Sequence, residues 1–73
     1  MGLSLGEPGP VEVAIFDVTG DRVRTLLDGF QPAGERDLQW DLRGDDGRLM
    51  GAGLYFLRVS SAGQRLWRKI VLL

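Results

Sequence analysis

The chain has 73 residues, no cysteine and no histidine, and its nine basic and ten acidic residues leave a net charge of −1. That length holds one domain, and the inventory excludes a disulfide, a Cys/His zinc site and the usual catalytic bases and nucleophile pairs. The near-neutral charge lacks the basic excess of a nucleic-acid footprint, and no apolar run reaches the ~18 residues that suggest a membrane-spanning helix.

Residues 1–6 lack the basic start and apolar stretch of a signal peptide. Met1-Gly2 reads as a start placed on a segment of a longer chain, so residues 1–73 read as one domain cut from, or ending, a larger protein. Leu3-Ser4-Leu5 is a short first strand, ended by Gly6-Glu7-Pro8-Gly9-Pro10. Residues 11–18 follow as a second strand, with Val11, Val13 and Ile15 on one face. Val18-Thr19-Gly20-Asp21 makes a turn in which Gly20 supplies a positive φ. Residues 22–27 form the return strand of a hairpin, with Arg22 and Arg24 on one face, and Asp28-Gly29 closes it. Gln31-Pro32-Ala33-Gly34 is a loop.

Residues 35–42 alternate, with Leu38, Trp40 and Leu42 against Asp37, Gln39 and Asp41, as expected of a strand with one wet side. Arg43-Gly44-Asp45-Asp46-Gly47-Arg48 and Gly51-Ala52-Gly53 are turns. Residues 54–60 form a strand with Tyr55, Leu57 and Val59 on one face. Ala62-Gly63-Gln64 is a hairpin turn, and residues 66–73 form the last strand, with Arg65, Trp67 and Lys69 at alternate positions. Turn signals at roughly ten-residue spacing, without βαβ alternation or repeats, predict an all-β antiparallel sandwich of six to seven short strands. The expected core is Val11, Val13, Ile15, Val23, Leu38, Trp40, Tyr55, Leu57, Val59, Ile70 and Leu72. Tyr55, opening its strand after a glycine-rich corner, has the placement of a tyrosine that bonds back to corner backbone, and Trp40 is the matching core aromatic.

Only carboxylates remain for chemistry, and Asp41, Asp45 and Asp46 sit where aspartate caps turns. An EF-hand count from Asp41 fails at Arg43, the third position, which leaves only a looser calcium site open. Gly51-Ala52-Gly53 precedes a strand and lacks a further glycine at Phe56, so it is no dinucleotide fingerprint. Arg43-Gly44-Asp45 spells an integrin-read tripeptide that a chain rich in these residues produces by chance. No catalytic, metal or cofactor site is expected. The eight arginines pair across strands with carboxylates, or with Trp67 form a docking surface.

In order, Val11-Glu12-Val13-Ala14-Ile15-Phe16-Asp17-Val18-Thr19-Gly20, Arg22-Val23-Arg24-Thr25-Leu26, Pro32-Ala33-Gly34, Leu38-Gln39-Trp40-Asp41, Asp45-Asp46-Gly47-Arg48, Gly53-Leu54-Tyr55-Phe56-Leu57-Arg58-Val59 and Arg68-Lys69-Ile70-Val71-Leu72 resemble the immunoglobulin-like domain of the flagellar hook-capping protein and related C-terminal modules of bacterial secreted proteins. The resemblance implies a small immunoglobulin- or fibronectin-III-like sandwich without catalysis, at the cell surface or outside the cell. In some bacteria similar C-terminal domains are sorting signals for type IX secretion. The positions matching that signal are Gly53, Tyr55, Lys69 and Val71, and Arg65 and Trp67 join them as candidate docking residues. The family's first strand is usually longer than Leu3-Ser4-Leu5, so either the segment is cut short or the sheet edge is incomplete. Expected partners are therefore the domains of a parent protein, the secretion machinery or identical subunits. In an assembly subunit such as a hook cap or filament, Leu3, Ser4, Leu5, Val71, Leu72 and Leu73 would pair between chains as a homo-oligomer.

Overall fold

A computed structural model describes residues 2–73; the reading of Met1-Gly2 as an added start touches Met1, which lies outside them. Six strands form: β1 (Gly2–Leu5), β2 (Gly9–Asp17), β3 (Arg22–Gln31), β4 (Gly34–Asp37), β5 (Gly53–Ser61) and β6 (Gln64–Leu72). They make two antiparallel sheets, β1-β4 and β3-β2-β5-β6. This is the expected small sandwich, with a two-stranded layer facing a four-stranded one.

Alternation builds the core. In β2, Val11, Val13 and Ile15 point inward and are almost fully buried, as are Tyr55 and Leu57 of β5. Leu3 and Leu5 of β1 pack on this cluster from the opposite layer, with Val23, Leu38, Trp40, Val59, Ile70 and Leu72. Every expected core residue is thus in the cluster or against it. Sequence reading omits Leu3, Leu5, Leu26, Leu27 and Met50, which also pack there, and Ala14, which is wholly buried on the other side of the sheet.

The tight turns follow their residues. Gly20 has φ +89°, and Asp17 organises its turn by accepting bonds from the Thr19 and Asp21 amides. The Thr19 hydroxyl is the main cause holding the Asp17 carboxyl below its ordinary range, aided by the Asp21, Thr19 and Gly20 amides against a smaller opposing desolvation. Ala62 (φ +51°) and Gly63 (φ +76°) join β5 to β6 in the doubly left-handed conformation that matches the twist of a two-residue hairpin.

Four expectations are corrected. Asp28-Gly29 does not close the first hairpin: β3 runs on to Gln31, and Gly9 and Pro10 extend β2 to meet it, with Gly9 opposite Gln31. Arg22 and Arg24 do not share a face. Register slips leave Leu26 and Val23 as extra residues on β3, so Arg24 faces Ile15 while Arg22 faces Phe16. Each bulge reverses the alternation once, which no period-two reading anticipates. The strand read over residues 35–42 stops at Asp37. Leu38 and Trp40 still reach the core, but Leu42 has φ +64°, lies exposed and begins an arch.

That arch, residues 42–50, is closed by Met50 N–H on the Leu42 carbonyl (2.8 Å) and Gly44 N–H on the Arg48 carbonyl (2.9 Å). Trp40 Nε1 donates to the Arg43 carbonyl at 2.8 Å. The arch docks on β3, where Asp45 N–H donates to the Val23 carbonyl (2.8 Å) and Asp45 Oδ1 accepts from Thr25 N–H (3.1 Å). It therefore satisfies two backbone groups at the start of the β3 edge, the Val23 carbonyl and the Thr25 amide. Gly44 sits where a Cβ would lie 3.2 Å from the Val23 carbonyl oxygen, so this approach suits glycine.

Candidate functional site

The sheet face turned away from the core carries the candidate docking residues. Cross-strand register sets Arg58 of β5 beside Trp67 of β6, Phe56 beside Lys69, Ser60 beside Arg65 and Leu54 beside Val71. Arg65, Trp67, Lys69 and Val71 thus form one outward row along β6. Trp67 is 54% exposed and Val71 58%.

A fixed platform supports the row. The Arg58 guanidinium carbon lies 4.7 Å from the Phe16 ring centre and 5.8 Å from that of Trp67. The two rings are 5.7 Å apart and tilted. Glu12 pairs with Arg58 and, at 4.0 Å, with Arg22. Arg58 Nε is buried without a hydrogen-bond partner. Cation–π attraction and the ion pair hold the guanidinium between the rings, so Trp67 leans on an anchored neighbour. Sequence reading missed Glu12, Phe16 and Arg58. Their signal was the second face of each strand: Glu12-x-Ala14-x-Phe16 and Phe56-x-Arg58-x-Ser60 alternate as regularly as the core positions.

Charge pairing is uneven across the domain. Arg22, Arg24, Arg48 and Arg58 each have a carboxylate partner. Among the described residues, Arg65, Arg68 and Lys69 of β6 have none. All ten acidic residues lie between Glu7 and Asp46, and none lies in β6 or β5.

Gly53 and Tyr55 stand apart from the row. Tyr55 is only 7% exposed, and its hydroxyl donates to the Gly51 carbonyl at 2.8 Å. Its ring meets Trp40 edge-on at 5.7 Å. This is the corner bond expected of it, and it leaves little of Tyr55 for a partner to touch. Tyr55→Phe removes one largely buried hydrogen bond, with an expected cost of about 1 kcal/mol. Its midpoint in thermal denaturation should fall by about 4–8 °C; an unchanged midpoint would remove the bond from the account.

The candidate edge residues divide. Leu3 and Leu5 turn inward from β1, Leu72 packs on the core, and Ser4 lies in β1 opposite Glu35. Leu73 lies past the end of β6 and is fully exposed. Among the described residues β6 pairs only with β5, so its other edge is open there over nine residues. On the core side of β6, a groove of about 480 Å³ runs between Leu66, Arg68 and Ile70 and the β1 residues Gly2, Leu3 and Ser4.

The aspartates of the arch act in the turn. Asp41 Oδ1 accepts from Arg43 N–H and Asp46 Oδ1 from Arg48 N–H, each at 3.0 Å. Among the described residues no three acidic side chains are grouped to hold a metal ion.

A family model, the FlgD Ig-like domain, matches residues 4–65. No curated protein and no solved structure gives a significant match. The chain belongs to the FlgD Ig-like domain family.

Proposed function

We propose that this FlgD Ig-like domain is a non-catalytic attachment module of an exported bacterial protein, sorted to or anchored at the cell surface by protein–protein contact. The family name points to the flagellar hook-capping protein, whose setting is export and assembly. The observation that carries the reading is the outward row of β6. A half-exposed tryptophan beside an anchored arginine, flanked by unpaired cations, has the composition of an interface anchor. Asp17, Asp41 and Asp46 cap turns and Glu12 forms ion pairs, which favours attachment over chemistry.

The test is a fusion of the chain to the C-terminus of a reporter that carries a signal peptide, expressed in a bacterium with type IX secretion. The reporter should reach the surface or the medium. Trp67→Ala and Lys69→Ala, both at exposed positions, should leave it in the periplasm with the domain folded. A wild-type fusion retained in the periplasm would overturn the sorting form of the proposal.

A second reading, a subunit that assembles through its sheet edges, is favoured by one observation: β1 and β4 pair only with each other, so each keeps an open edge. Light scattering at high concentration should then find multimers. A strict monomer of 8.1 kDa would sink it.

A further inference from the structure

We infer that β6 takes up an extended, acid-rich segment of a partner protein as a fifth strand of the four-stranded sheet. This inference rests on the attachment reading and names the chemistry of the partner.

Three observations converge on β6. Among the described residues its outer edge is open over nine residues, whereas on the opposite edge, on β3, the Val23 carbonyl and the Thr25 amide are bonded to Asp45. An open edge presents unpaired N–H and C=O groups to an extended chain. Its side chains carry positive charge without carboxylate partners, on both faces: Arg65 and Lys69 outward, Arg68 toward the core-side groove. Its apolar side chains are also uncovered, with Leu66 63% exposed on the groove side and Trp67 exposed on the other.

These positions prescribe the incoming sequence. Residues two apart on a strand share a face and lie about 7 Å from each other. Acidic residues opposite Arg65, Arg68 and Lys69, an aromatic or branched residue opposite Trp67 and an apolar one opposite Leu66 would each meet a cross-strand complement. The apolar residue beside Leu66 would also enter the groove of about 480 Å³.

A second copy of β6 is a poor occupant. Antiparallel self-pairing centred on Trp67 sets Arg65 opposite Lys69, and pairing centred on Arg68 sets that residue opposite itself. Like charges placed directly opposite are destabilising, so these two registers near the middle of the strand disfavour a second copy, while the edge remains open to an acidic strand.

The experiment uses this chain and a fluorescein-labelled nine-residue peptide, with acidic residues placed opposite Arg65, Arg68 and Lys69 and valine elsewhere. Fluorescence anisotropy at low salt should show saturable binding that weakens as salt screens the charges. Arg65→Gln with Lys69→Gln should weaken it roughly tenfold, the loss of two cross-strand charge pairs. Amide exchange should slow along β6 when peptide is bound. A peptide with lysine in place of its acids should not bind. The inference fails if the acidic peptide does not bind, if the double variant binds as well as wild type, or if β6 amides remain unprotected. It also fails if the protein alone self-associates through β6, since the occupant is then a second copy. Secretion of the reporter fusion is scored separately, so a failed peptide titration beside a secreted fusion rejects the strand partner and not the attachment role.

Discussion

Leu57→Ala should come close to unfolding the domain. Leu57 is 2% exposed at the centre of β5, flanked in register by Ile15 and Arg68. Truncating a buried leucine costs about 2–5 kcal/mol, the spread reflecting how well the site collapses. A core in a domain of this size rarely supplies more than about 3–5 kcal/mol. Among the described residues six hydrophobic side chains are buried, and Leu57 is one of the three largest that are fully so. With two thin layers, little else can relax into the space. The thermal midpoint, followed by circular dichroism, should drop by at least about 10 °C, or the cooperative transition should vanish. Leu66→Ala is the internal control: the same residue type on the same sheet face, but exposed, so it should change stability by no more than about 0.5 kcal/mol. Equal effects at the two positions would contradict the register of β5 and β6.

The contrast between those two leucines shows what the sequence could convey. Alternation located β2 and β5 because their inward positions are apolar on every second residue, and the same rule marked Ile70 and Leu72. Alternation alone gives no ground for separating Leu57 from Leu66, although the expected core takes the first and leaves out the second. Whether a residue is covered depends on the opposite layer, and β1 and β4 are too short to cover β6. The slips in β3 were equally hidden. Arg22-Val23-Arg24-Thr25-Leu26-Leu27 reads as simple alternation with one apolar pair, yet Val23 and Leu26 are each an extra residue, and the two arginines part company. A bulge leaves no composition signal when the extra residue is itself apolar. The arch was half legible. Its glycines and aspartates announced a turn, but the docking of Asp45 on β3 is a contact twenty residues away in sequence, beyond any local rule. The candidate surface was found on β6 and missed beneath it, because Glu12, Phe16 and Arg58 lie on two other strands and only register brings them together.

Charge segregation follows from the same geometry. The acidic residues end at Asp46, and Asp17, Asp41, Asp45 and Asp46 are engaged by backbone amides, with Asp41 also paired to Arg24 of β3. Among the described residues, the ion pair that β5 makes is Arg58 with Glu12, which Arg22 shares. The unpaired cations of β6 are a consequence of chain order, and they fall on the strand whose edge is open.

Trp40→Ala should produce the second large loss, and its size discriminates between two pictures of the arch. Full burial of Trp40 in a regular strand would predict about 3–5 kcal/mol. Trp40 is instead half-buried after the end of β4, so the transfer contribution is smaller. Against that, its ring meets Tyr55 edge-on, worth about 0.5–1.5 kcal/mol, and Nε1 closes the arch on the Arg43 carbonyl, worth about 1 kcal/mol. The expected total is about 2–3 kcal/mol. Trp40→Phe keeps a ring on the core and loses the N–H bond, so it should cost about 1 kcal/mol. Urea denaturation of the two variants checks the division. The arch also caps β3, so amide exchange at Thr25, whose N–H is held by Asp45, should speed up in Trp40→Ala more than in Trp40→Phe. If the alanine variant loses stability while Thr25 exchange keeps pace with the phenylalanine variant, Trp40 acts through the core alone and the arch is held by its own backbone bonds.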